Sequence, residues 1–498
     1  MRLLGIDIGT THIKVGLFRY DGTLVKLAIR KNQSYTNKQG HSFYRPDELW
    51  KVVMQATKEV TAQQEKIISI GITSMAESGL LLIPETGECR SNIIPWFDRR
   101  TESIANFIQQ EIDPISHFIK TGLRNNYKHG LAKILWLQQE DSDQLRNARW
   151  LSTSDFIAYK LTGIVGTDYT LAARTFAFRI DKKEWDIPLI SHFGINPSIF
   201  PEARPSGKKL GEIVTSELKE IGLQKGIPVA VSGHDHVCAA FAVGAVKTGV
   251  VSDSVGTAET LVGAFNHREL TKQDYNSGFN FGRHISSEKL FWMGAIQSSG
   301  GSVEWLRNKL SSESLSYQDI NTLLDATPKK PTGILYYPYL AGSGSPQADP
   351  KAKGAFIGIQ ANHDKGILLR GLLEGTAYEF EYMRRAIEEV QNFHISKLVA
   401  VGGGTKNLHW MQIKADISGC PISIPAIKEA TLLGAAIAAG LGCGIYNDED
   451  ELFQLINQND QVMIRPNQDN YQIYRRLFEQ GYMPLQQPLR AFYKKSLQ

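Results

Sequence analysis

At 498 residues the chain is too long for one hydrophobic core and long enough for two domains of about 200 to 250 residues each. Its 42% apolar and 21% charged residues are those of a globular protein, and a formal charge of +4 with no lysine and arginine block gives no reason to expect nucleic acid or a membrane as partner. The four cysteines lack a Cys-x-x-Cys pair, no leader-like segment precedes the first strand, and no apolar run reaches the ~18 residues that span a bilayer; zinc, secretion and membrane insertion are not expected, and a reducing cytoplasm fits best.

Taken in order, residues 1–30 read as a β-meander turned at Asp21-Gly22, and residues 46–60 as an amphipathic helix carrying Leu49, Trp50, Val53, Met54 and Val60 on one face. A strand over 67–72 ends in the polar turn Thr73-Ser74-Met75-Ala76-Glu77-Ser78, and a second strand covers 79–83. After the cluster Ile93-Ile94-Pro95-Trp96-Phe97-Asp98-Arg99-Arg100-Thr101, residues 101–227 turn mostly helical and read as a lid or insertion. A strand over 227–231, a polar turn and a small-residue helix over 237–243 follow, and Lys247-Thr248-Gly249 marks a domain joint, giving domains 1–246 and 247–498. The second half carries a strand–turn–helix through Ser298-Ser299-Gly300-Gly301, a strand over 354–359, a helix over 364–389, and a strand over 398–401 leading through three glycines to a helix near Asn407. Such a turn leaves a helix N-terminus open to an anion or a flat ring. The last ~55 residues read as a peripheral helical tail.

Two stretches resemble each other. GIDIGTTHIKVGLF (5–18) and SVGTAETLVGAF (254–265) share Gly-Thr (Gly9-Thr10, Gly256-Thr257), Val-Gly and a closing Phe. Glycine at such a turn lets backbone approach a ligand, and its amides with a neighbouring hydroxyl suit phosphate oxygens. Either copy alone is equally an ordinary hairpin; together they favour a duplicated nucleotide-binding protein.

Asp7, at a strand end beside the first turn, is placed to meet phosphates through hydrated magnesium, the alternative being a surface cap. Lys14 can reach the same phosphates as a point charge. Asp235, between a strand and an Ala-rich helix, is the strongest candidate base for taking the proton of a substrate hydroxyl, although the same position suits a helix cap. The flanking His234 and His236 make a poor metal set without further ligands. Glu77, Trp96, Asp98 and Arg99 form a polar-aromatic set suited to a polyhydroxylated molecule; singly, each is an ordinary charge or core aromatic.

These stretches, with SGHDH, SSGGSVEWLR, GAFIGI and VGGGTKNLHWMQ in this order, resemble the FGGY carbohydrate kinases of the actin-like, ribonuclease-H-like ATPase superfamily over essentially the whole chain. The resemblance implies an α/β protein of two ribonuclease-H-like domains with an interdomain ATP cleft, a phosphotransferase that moves the γ-phosphoryl group of ATP, with magnesium, to a hydroxyl of a small sugar or polyol. Thr10, Thr11, Lys14, Gly256 and Thr257 would face the phosphates, and Gly300, Gly403 and Asn407 the nucleoside. Asp235 would be the base and, with Asp7, meet the metal; Glu77, Trp96, Asp98 and His236 would join Asp235 around the sugar. Ala76-Glu77 matches neither the Met-His of xylulokinase-like members nor the Arg-Glu of glycerol-kinase-like ones. His236 replaces their Gln, Gly130 departs from the usual Pro, Ser or Thr, and Tyr127 is one place off a sugar-contacting tyrosine. A ketose such as xylulose is expected first, with glycerol, a tetritol or gluconate as alternatives. The oligomeric state stays open, a homodimer being one option. The rivals are an actin- or chaperone-like ATPase acting on a protein, which needs no sugar pocket, and a catalytically silent sugar sensor, which needs no Asp7 and Asp235.

Overall fold

The aliphatic run at the N-terminus buries Leu3, Leu4, Ile6 and Ile8 and forms β1 (Arg2–Ile8), an interior strand of a six-stranded sheet. The structure, a computed structural model, describes all residues except 63–65, 215–216, 287, 310–312, 457–460 and 497–498. β2 (His12–Phe18) and β3 (Leu24–Lys31) follow β1 antiparallel. On the other side β4 (Ile67–Ser74) pairs parallel with β1, and β5 (Lys209–Glu212) lies antiparallel at the edge on β6 (Pro228–His234), itself parallel to β4. α1 (Pro46–Thr61) buries Leu49, Val53 and Val60 against β2 and β3.

The second sheet is made of β7 (Val250–Val255), β8 (Glu259–Asn266), β9 (Asn280–Arg283), β10 (Lys289–Ile296), β11 (Lys397–Val401), β12 (Ile422–Pro425) and β13 (Gln461–Ile464), in the order 9-10-8-7-11-12-13. Apart from β9 it repeats the first sheet: three antiparallel strands, two parallel ones, then an antiparallel edge. The chain is thus two α/β domains of ribonuclease-H-like topology. The expected division at 246/247 falls between α2 (Asp235–Ala242) and β7. In the second half, α3 (Gly300–Lys309), α4 (Lys365–Gln391), α5 (Leu408–Ser418) and α6 (Ala430–Gly442) complete the parts used below.

α6 crosses back to pack on β1, β4 and β6 and on α2. The approach leaves no room for side chains: a Cβ on Gly71 would lie 1.9 Å from the Ala435 carbonyl oxygen, and one on Gly434 1.9 Å from that of Cys238. The segment 101–227 includes helices Gly130–Glu140 and Thr153–Thr162, and is tied to the second sheet by a backbone bond from Phe281 N to Gly122 O of 2.9 Å.

Two expectations are corrected. The strand at 228–234 runs three residues beyond 231, because Ser232 buries its hydroxyl on the Ala435 carbonyl (2.7 Å), so Asp235 opens α2 directly. The final segment is not peripheral throughout. β13 joins the sheet, and Tyr474, Phe478 and Tyr482, four apart on one helical face, are buried. Among the described residues no helix is long and apolar enough to cross a membrane.

Candidate active site

Asp7, Thr73 and Gly233 lie in line across β1, β4 and β6, so the segments that leave these parallel strands share one edge, the usual place for ligands in such sheets. Directly across from Asp7 in the hairpin stands Lys14. Its Nζ reaches Glu429, the residue before α6, at 2.7 Å, so the lysine expected on phosphates is here paired with a carboxylate. Asp7 is buried, and its Oδ1 has no hydrogen-bond partner among the described residues. Burial, then the Asp235 charge, push its carboxyl up to about 8, with Lys14 opposing and Glu429 adding.

Asp235 is about a quarter exposed. Its Oδ1 accepts from the His236 backbone N–H at 2.7 Å and lies 3.1 Å from His234 Nε2. Burial disfavours the carboxylate, but His236 and the His234 ring outweigh it and hold the group below its usual range, ionised at neutral pH.

Glu77 follows β4 in the left-handed backbone region, at φ 57°. Its Oε1 accepts from Arg174 Nε at 2.9 Å and, more closely, from Nη2, with Lys128 Nζ 3.7 Å away. Burial opposes ionisation here too, yet Arg174, Lys128, His129 and His234 hold the carboxyl far below its ordinary value. Lys133 Nζ donates to the Glu77 carbonyl, and burial lowers this lysine to about 7. The charges of Glu77 and Arg174 both act on His236, which joins the Glu77 and Asp235 groups into one field.

Trp96, 38% exposed, donates from Nε1 to Thr10 Oγ1 at 3.0 Å and thereby touches the first Gly-Thr turn, on which Thr11 is exposed. Asp98 differs from the expectation of a free acceptor. Its Oδ1 takes Arg100 N (3.0 Å) and Nε (2.7 Å), and its Oδ2 takes Ser42 N and Arg100 Nη2, so it braces its own loop. Arg99 faces outward onto Glu102.

In the second half, Gly256, Thr257, Gly300, Gly403 and Asn407 line one cavity of about 490 Å³, with Tyr317 and Trp410 among its walls; Thr10, Thr11 and Lys14 are outside it. The Gly-Thr turn docks on the start of α3 through Gly300 N to Gly256 O (3.0 Å) and Gly301 N to Thr257 O (2.9 Å). A Cβ on Gly300 would lie 2.5 Å from that Gly256 oxygen. Asn407 caps α5 through Trp410 N at 3.0 Å. Under the turn, fully buried Lys414 lies against Asp253 and, at 2.8 Å, Glu259, which in turn accepts from Ser299 Oγ at 2.6 Å.

Residues 2–242 match the model of the FGGY family of carbohydrate kinases, N-terminal domain, and residues 260–443 that of its C-terminal domain. The chain belongs to the FGGY family of carbohydrate kinases. Among curated relatives it is 28% identical over 491 residues to a xylulose kinase of Staphylococcus epidermidis (96% of this chain, 95% of that protein) and 29% identical over 460 residues to a glycerol kinase of Gloeobacter violaceus (90% of each). A ligand-bound xylulose kinase from Lactobacillus acidophilus superposes with TM-score 0.89 at 23% identity over 99% of both chains, which supports the fold. This FGGY kinase is therefore a phosphotransferase with ATP as donor and an alcohol group of a sugar or polyol as acceptor.

Sequence reasoning missed Arg174, Lys128, Lys133 and Glu429. The one available signal is the chemistry of Glu77 itself, since a carboxylate buried beside a strand end needs a cation.

Proposed function

We propose that this kinase phosphorylates a small neutral ketose, xylulose first, with glycerol and a tetritol next and gluconate last. The observation that carries the ranking is the Glu77 carboxylate, kept ionised by Arg174. It offers an acceptor to a sugar hydroxyl, whereas an ionised substrate carboxylate has no proton to donate to it. The relatives named xylulose kinase and glycerol kinase support a neutral ketose or polyol as substrate.

In this reading residues 1–246 hold the sugar and the base, and residues 247–498 the nucleotide. Asp235 takes the proton of the attacking hydroxyl; Glu77 and His236 bind the sugar's polar side, Trp96 lies against its C–H face, and Asp98 braces the loop that carries Trp96. Gly300, Gly403 and Asn407 line the nucleoside pocket. Thr10, Thr11 and Lys14 meet the phosphates from one half, Gly256 and Thr257 from the other, and Lys14 exchanges Glu429 for a phosphate oxygen when ATP enters. Asp7, with a buried unpartnered oxygen and the charges of Asp235 and Glu429 acting on it, fits a divalent cation, which Asp235 would share. Magnesium, when bound, supplies positive charge against the phosphates. Closure of the cleft would exclude water, which otherwise competes as acceptor.

The test is coupled ADP release across D-xylulose, other ketoses, glycerol, tetritols and gluconate. The highest kcat/KM is expected on a ketose. Preference for gluconate over every neutral substrate would overturn the ranking.

A further inference from the structure

The Glu77 backbone adopts a conformation costly for a residue with a side chain, which persists only where its surroundings fix it. Lys133 holds the carbonyl, and Arg174, 3% exposed, holds the carboxylate through Nε and Nη2 on the same oxygen. Among the described residues no protein donor takes Oε2, so one acceptor stays available. The third guanidinium nitrogen, Arg174 Nη1, is buried without a partner, and so is Asp155 Oδ1. Both residues, with Thr167 and Glu77, line the same cavity of about 10 Å³. That is room for about one water molecule, and a donor, an acceptor and a hydroxyl on its walls are the partners such a water needs. Asp155 is fixed in its turn: its Oδ2 accepts from Ser152 N at 2.9 Å in a capping box at the start of helix Thr153–Thr162.

We propose that Arg174 is a specificity-determining positioning residue of the sugar site, aiming Glu77 at one substrate hydroxyl, and that Asp155 orients Arg174 through a single enclosed water. The proposal rests on the reading of Glu77 as a sugar ligand. A guanidinium held at each of its three nitrogens has one orientation, so the free oxygen of Glu77 has one direction, and substrates whose hydroxyl lies elsewhere are discriminated against. Lysine at 174 keeps the charge and loses the fork.

The experiment measures KM and kcat for ATP, D-xylulose and glycerol in Glu77→Gln, Arg174→Lys, Asp155→Asn and the Glu77→Gln/Arg174→Lys double variant, with melting temperatures alongside. Arg174→Lys should raise the KM of the preferred substrate about tenfold and shrink the preference between D-xylulose and glycerol, with the KM of ATP changed less than about twofold. Asp155→Asn should act in the same direction by about threefold, and the double variant should be little worse than Glu77→Gln alone. If Glu77→Gln leaves every sugar parameter unchanged, the reading of Glu77 itself fails. If Glu77→Gln is impaired while Arg174→Lys and Asp155→Asn lower only the melting temperature, Glu77 stands and the inference is overturned. Should Arg174→Lys not fold, Asp155→Asn decides by the same criterion.

Discussion

In the first half the rung beside the Gly-Thr turn pairs Asp7 with Lys14; in the second the corresponding rung pairs Ser254 with Thr260. The ions of the second half are turned inward, where fully buried Lys414 lies between the carboxylates of Asp253 and Glu259. One fold therefore leaves partly exposed ionisable groups near its strand ends in one copy and buries them fully in the other. The partly exposed Asp235 carboxylate and the unpartnered Asp7 oxygen suit proton and cation chemistry; the glycine-lined wall suits a nucleoside. The hairpins also differ in length, since four residues separate Ile8 from Ile13 and three separate Val255 from Glu259. Past the turn the ungapped match of Val15-Gly16 with Val262-Gly263 is thus one rung out of step.

The comparison breaks most visibly at Asp7. Asp7→Asn removes a carboxylate from the charged half and should lower kcat/KM by about 10³, in line with several kcal/mol of cation-borne stabilisation, while the nucleotide half is untouched. Steady-state kinetics with magnesium titration checks it. The smaller mirror-image change is Gly300→Val in the second half. Its side chain meets the Gly256 carbonyl, and the KM of ATP should rise about 10-fold or more while that of the sugar stays within about twofold.

The finest effect is a proton. Because burial and Asp235 raise the Asp7 carboxyl to about 8, it is protonated at pH 7 in the metal-free protein, and binding a cation there releases close to one proton at pH 7 and none near pH 9.5. Calorimetry in buffers of different ionisation enthalpy measures it, and Asp7→Asn should abolish it. The unfolded carboxyl titrates near 4 and the folded one near 8, so this group makes the metal-free protein lose stability as pH rises across that window. Asp7→Asn should flatten that loss.

The doubled fold was legible because its signals are local: strand, Gly-Thr turn and strand, twice, and glycines between strands and helices. The same holds for Gly256, Thr257, Gly300, Gly403 and Asn407, each of which lies in such a turn and lines one cavity. What escaped is long-range pairing. Arg174 meets Glu77 across 97 residues and Lys14 meets Glu429 across 415, separations that no periodicity encodes. Asp98 looked like a ligand because its partner Ser42 lies 56 residues away and its adjacent Arg100 reads as an independent charge. The length of β6 was underestimated because Ser232, Gly233 and His234 look like a turn until α6 covers them.

The central claim, that the charged half performs the chemistry through Asp235, is tested most directly by Asp235→Asn, with ATP affinity and single-turnover phosphoryl transfer measured on the same preparation. Asparagine keeps the shape and cannot take the proton. The variant should bind ATP as the parent does and transfer the phosphoryl group about 10² to 10⁴ times more slowly, the usual share of a general base. Transfer at the parental rate, with chemistry rate-limiting, would contradict the account.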